Sequence, residues 1–128
     1  MKFRIFSWTL LLVLIFGLTS SVSAQANYSF QLTNEIVQVY LNKDGSISLD
    51  YQLTFVNDPG AKAIDFVDLG LPNSDFDMSS ITADVGGNRI NVTSDYQGTG
   101  SGVALDLGAH LIRQNGTVHA NVGAITKM

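Results

Sequence analysis

Oxygen-bearing side chains are the first candidates for chemistry in this sequence. Asp65, Asp68, Asp75, Asp77 and Asp84 lie close together, and Asn73, Asp75 and Asp77 alternate in a loop. Hard oxygen ligands so spaced could hold calcium, and these three are the candidate metal ligands. No EF-hand loop surrounds them. The one stretch that approaches that pattern, Asn42-Lys43-Asp44-Gly45, has Tyr40 and Tyr51 where the first and last ligands belong. The competing reading, that loop and strand-edge carboxylates of an acidic domain are simply solvated, is preferred, and no resident cofactor is expected.

The histidines offer a second arrangement. If Asn115-Gly116 forms a tight hairpin turn, Ile112 lies opposite His119 and His110 opposite Asn121. The two imidazoles are then diagonal neighbours on one face. A pair falls short of a metal's usual ligand set, so two surface histidines are the preferred reading. Gly98-Thr99-Gly100-Ser101-Gly102 has the composition of a phosphate-binding loop, but such loops lead from a strand into a helix, and no helical pattern follows. It is not a nucleophile elbow either, because Thr99 stands where the first glycine around Ser101 belongs. A flexible connection is expected. Nothing singles out a catalytic pair among the 11 acids, and no catalytic residue is assigned. Asn27-Tyr28-Ser29, Asn91-Val92-Thr93 and Asn115-Gly116-Thr117 match the glycosylation acceptor pattern, but no glycan is assigned.

The elements that would position these groups are strands. In Ser46–Val56 the apolar residues Ile47, Leu49, Tyr51, Leu53 and Phe55 alternate with polar ones, which gives a strand with one buried and one wet face. Glu35–Leu41 puts Val37, Val39 and Leu41 on one side, and the turn at Asn42–Gly45 predicts an antiparallel hairpin with the strand that follows. Asn57-Asp58-Pro59-Gly60 ends that hairpin. Ala63–Leu71 reads as a third strand. Ser80–Val85 and Asn88–Thr93 read as a hairpin around Gly86-Gly87, with Ile81, Ala83 and Val85 facing Ile90 and Val92. Val103–Leu107, Ala109–Arg113 and Thr117–Ile125 complete the set. Some seven or eight short strands predict an all-β fold, an antiparallel β-sandwich of immunoglobulin-like Greek-key type, with a small barrel as the alternative.

The first 26 residues read as an address. Lys2 and Arg4 precede the apolar run Trp8–Leu18, and small residues around Ala24 and Ala26 offer cleavage sites. This is the order of a secretory signal peptide, and the run is short for a membrane span. The domain is therefore expected over residues 27–128, preceded by a leader helix and exported to the cell surface, the extracellular space or the periplasm. Removing Lys2 and Arg4 takes the formal net charge from −4 to −6, which repels nucleic acid and anionic lipid. With no cysteine, disulfides, thiolate metal sites and lipoprotein attachment are excluded. Val122–Met128 carries no stop signal, so the chain reads either as the front of a longer protein or as one that ends on its final strand.

Phe30–Phe55, with an alternating strand, Asp44-Gly45-Ser46-Ile47 and a second alternating strand, resembles the start of an uncharacterised family of bacterial predicted membrane proteins. Members open with a signal peptide and an extracellular β-domain of unknown function. The resemblance implies a C-terminal part with membrane spans and brings no catalytic residues. After Phe55 the sequence departs from that family, with acidic Asp65 and Asp68 replacing its arginine- and glycine-bearing segment.

These observations lead to the expectation of a non-catalytic extracytoplasmic interaction or spacer domain, binding a protein or glycan partner and meeting the membrane only through its leader or a further C-terminal part. Two alternatives are an accessory β-domain of a secreted glycan-active enzyme and a calcium-stabilised adhesion module. The first calls for an aromatic platform, for which Tyr40, Tyr51, Tyr96 and Phe76 are the candidates.

Overall fold

The computed structural model describes residues 27–126, so the expected leader over residues 1–26 lies outside the described residues, as do positions 127–128. Among the described residues seven strands follow one another: β1 (Phe30–Leu41), β2 (Ile47–Asn57), β3 (Phe66–Leu71), β4 (Thr82–Val85), β5 (Asn88–Thr93), β6 (Ser101–Asp106) and β7 (Asn115–Ile125). A single 3-10 turn, Met78–Ser80, interrupts the run between β3 and β4.

All pairings are antiparallel, and the ladder runs β1-β2-β7-β4-β5-β6-β3. Two separate facing sheets with Greek-key connections were expected; the ladder is instead continuous. The reason lies in β5. Its residues Asn88, Arg89 and Ile90 pair with β4, and Asn91, Val92 and Thr93 pair with β6. A strand that changes partner half-way turns a corner and carries the sheet over on itself. The result is a half-barrel, nearer to the small barrel alternative, with β1 and β3 as its two open edges.

The inner face is set by alternation. Along β2 every second residue from Ile47 to Asn57 is buried, because those side chains share one face of the pleat. Val118, Ala120 and Val122 of β7, Val103 and Leu105 of β6, and Val67, Leu69 and Leu71 of β3 complete a single core. Each fully buried aliphatic side chain there contributes roughly 1.5–3 kcal/mol. The turn Gly86-Gly87 has φ of 57° and 85°, the left-handed conformation that a tight hairpin of this hand requires. Asn57 is the buried polar anchor at the end of β2. Its amide donates to Lys62 O at 3.0 Å and Arg113 O at 3.3 Å, tying two loops to the barrel end.

One expected element is missing. Residues 109–113 form no strand; Ile112 makes a single bridge to Ile64, and His110 N donates to Leu107 O at 2.8 Å in a turn. Asn115-Gly116 is therefore the start of β7 and not a hairpin turn, and β7 pairs with β2 and β4.

Candidate functional site

The largest departure from a closed core is β1. Its cross-strand partners place Leu32, Glu35, Val37, Val39 and Leu41 on the same face as Phe55, Leu53, Tyr51, Leu49 and Ile47. That is the inner face, yet all 12 residues of β1 are exposed. The contrast is sharpest at one pair: Leu49 is 3 % exposed and Val39, directly opposite, is 61 % exposed. β1 overhangs the curl of the sheet, and among the described residues no second layer lies above its apolar stripe.

Between β1 and the other open edge, β3, runs a groove of about 540 Å³. Its floor and walls are apolar, formed by Phe30, Leu32, Phe55, Ile64, Val67 and Leu69. Tyr51 closes the floor; its hydroxyl donates to Gly70 O at 3.4 Å, and its pKa is pushed up by burial and, secondarily, by the charge of Glu35. Glu35 lies at the groove wall opposite Leu53. Among the described residues no lysine, arginine or histidine pairs with it.

One end of the groove is latched. Tyr28 packs edge-on against Phe66 with ring centroids 5.8 Å apart, donates its hydroxyl to Asp65 Oδ1, and accepts from Lys62 Nζ at 2.6 Å. Lys62 also pairs with Asp65 Oδ2 at 3.1 Å and sits 4.3 Å from the Tyr28 ring centroid. The Tyr28 hydroxyl, and then Lys62, hold the Asp65 carboxyl below the usual carboxylate range; the same hydroxyl and Asp65 raise the Lys62 ammonium. Backbone bonds from Asp58 N to Ser29 O and from Lys62 N to Asn27 O complete the latch. Beyond it Thr33 is bulged out of register, so Asn34–Leu41 is an uninterrupted free edge.

A second, smaller concavity of about 240 Å³ lies on the outer face. Two complete cross-strand rows line it: Ile36, Gln52, His119 and Asp84, then Gln38, Asp50, Asn121 and Thr82. His119 Nδ1 is 3.7 Å from Asp84 Oδ2. An imidazole beside a carboxylate can carry a proton, but among the described residues no hydroxyl donates to His119, so nothing there resembles an activated nucleophile.

The residues singled out from sequence are mostly dispersed. His110 sits in the turn after β6 and His119 on β7, so the diagonal pair does not form. Asn73 Oδ1 accepts from Asp75 N at 2.8 Å, and Asp77 Oδ1 caps the 3-10 turn by accepting from Ser79 N at 2.9 Å. These oxygens serve local turns; among the described residues there is no group of three or more acidic or histidine side chains that could hold a metal. The aromatic candidates share no face: Tyr51 is inside, Tyr40 is on the opposite face of the same hairpin, and Phe76 bridges to Ile125.

The glycine-rich stretch has a packing role. The Tyr96 ring lies over Gly102 and Gly98; a Cβ on Gly102 would come within 2.6 Å of Tyr96 Cε2 and 2.5 Å of the Leu69 carbonyl oxygen. Sequence reasoning missed the groove because β1 has the same alternation as a buried strand. The one available signal was Glu35 within that apolar face. Comparison with protein-family models, with curated proteins and with solved structures gives no match.

Proposed function

We propose that this chain is a non-catalytic interaction domain, exported and forming the front of a larger cell-surface or membrane-anchored protein, and that it binds through the groove between β1 and β3. The observation that carries this reading is the uncovered apolar inner face of β1 above a formed apolar groove. Monomeric domains rarely leave such a stripe open, and an uncovered one marks a binding surface. The leader pattern and the resemblance of Phe30–Phe55 to extracellular β-domains support the cellular placement.

The test is saturable binding of an apolar fluorescent dye by the purified protein under conditions where it melts cooperatively. Leu32→Asp should abolish the signal and leave the melting temperature within a few degrees, since this groove-lining side chain is exposed and surface substitutions typically change stability by about 0.5 kcal/mol or less. No saturable binding, or hydrolase turnover by the protein, would count against the reading.

A further inference from the structure

The directions of the strands say what would complete this sheet. Each neighbour in the ladder is antiparallel to the next, and there are seven. An odd number of alternating strands leaves the two edges, β1 and β3, running the same way. Were they to meet, the seam would be parallel. A single strand running the other way, laid between them, would pair antiparallel with both and turn the half-barrel into an eight-strand closed one. The groove lies where that strand belongs, and its latched end at Tyr28 and Phe66 fixes where the inserted strand must stop.

The side-chain chemistry narrows the occupant. An inserted strand would turn alternate residues onto the apolar floor and the others to solvent. Its inward position beside Glu35 meets a carboxylate without a cation among the described residues. An inward-pointing charge on an edge strand discourages indiscriminate pairing, and it admits a partner that brings the opposite charge. A second copy of this edge does not qualify, because β1 holds no lysine or arginine and would set another Glu35 nearby. An acyl chain could cover the floor but would leave the N–H and C=O groups of both edges, and Glu35, unengaged.

We propose that the groove takes one extended peptide segment, antiparallel to both β1 and β3, with apolar side chains at alternate positions and a lysine or arginine placed to meet Glu35. This rests on the groove being the binding surface and goes beyond it by naming the occupant. β3 is 6 residues long, which sets the length over which both edges pair. Backbone bonds on two sides supply affinity, and alternate side chains supply selectivity.

The experiment uses the purified protein with a synthetic peptide of alternating valine and threonine carrying one inward lysine. The controls are a peptide of the same composition with the valines grouped, versions N-methylated along one edge or the other, and dodecanoate. The alternating peptide should bind and slow amide exchange on β1 and β3 alike. Methylating two amides on either edge should weaken binding about tenfold, the effect of one or two net hydrogen bonds. Replacing the peptide lysine by glutamate should abolish binding to the native protein and restore it with Glu35→Lys; Glu35→Gln should bind both peptides alike. Protection of β1 alone would overturn the closure. Binding of dodecanoate or dye without the peptide would overturn the strand and leave the groove standing. No binding of peptide, dodecanoate or dye would remove both.

Discussion

Val39 and Leu49 sit opposite each other on one face of one hairpin, so truncating each to alanine isolates the effect of cover. Leu49 is 3 % exposed and belongs to the core. Leucine-to-alanine changes at such positions cost about 2–5 kcal/mol through lost transfer energy and the cavity left behind. For a domain of this size each kcal/mol lowers the melting temperature by roughly 4–8 °C, so Leu49→Ala should lower it by roughly 8–40 °C. Val39 is 61 % exposed, so at most two-fifths of its side-chain burial is at stake. Val39→Ala should change stability by about 0.5 kcal/mol or less, a few degrees at most. Thermal melts of the two variants and the parent, read by tryptophan-independent far-ultraviolet circular dichroism, give both values. Comparable losses at the two positions would mean that β1 is covered, and the argument for an open groove would fail.

Three further outcomes follow from the same structure. Gly102→Ala should destabilise by about 1–3 kcal/mol, as overpacking does, since its Cβ would lie 2.5 Å from the Leu69 carbonyl oxygen; urea melts check this. Asp65 has a folded pKa below its unfolded one, so its contribution is present above the unfolded value and lost as pH falls through the folded value; Lys62 is raised, so its contribution is present below its unfolded value and lost as pH rises through the folded one. Tyr28→Phe should therefore move the Asp65 titration, followed by carboxyl-carbon NMR, upward toward the ordinary value of 3.8. Added calcium or chelator should leave the melting temperature unchanged, since a bound ion would raise it and the Asn73 and Asp77 oxygens already serve local turns.

Much of the fold was legible because alternation is a strong signal wherever one face is buried. β2 shows it along its whole length, and Leu49 and Leu53 lie in the core as that pattern requires. The hairpin at Gly86-Gly87 was legible because a two-residue turn of that hand demands glycine-like φ. Asn115-Gly116 misled for a physical reason. Gly116 lies under Ile112, where a Cβ would come within 2.9 Å of Ile112 Cγ1, so its small size serves packing and not a turn. The layer count was also out of reach, since side-chain period reports which residues face inward, not whether β5 changes partner between Ile90 and Asn91. For the same reason the spacing of Val37 and Val39 puts them on one side of a strand but does not say whether a layer lies above them.

The position of β7 governs how the chain can acquire its shape. Among the described residues it is the last strand in sequence but lies third in the ladder, between β2 and β4, and it joins positions as distant as Ile47 and Ile125. Until it arrives, the first hairpin and the β4-β5-β6-β3 segment have no shared ladder, and contacts so far apart in sequence make for slow folding. A ribosome making this chain would hold two unjoined pieces until β7 has been synthesised. If the chain is exported, as proposed above, that delay would keep it threadable during translocation.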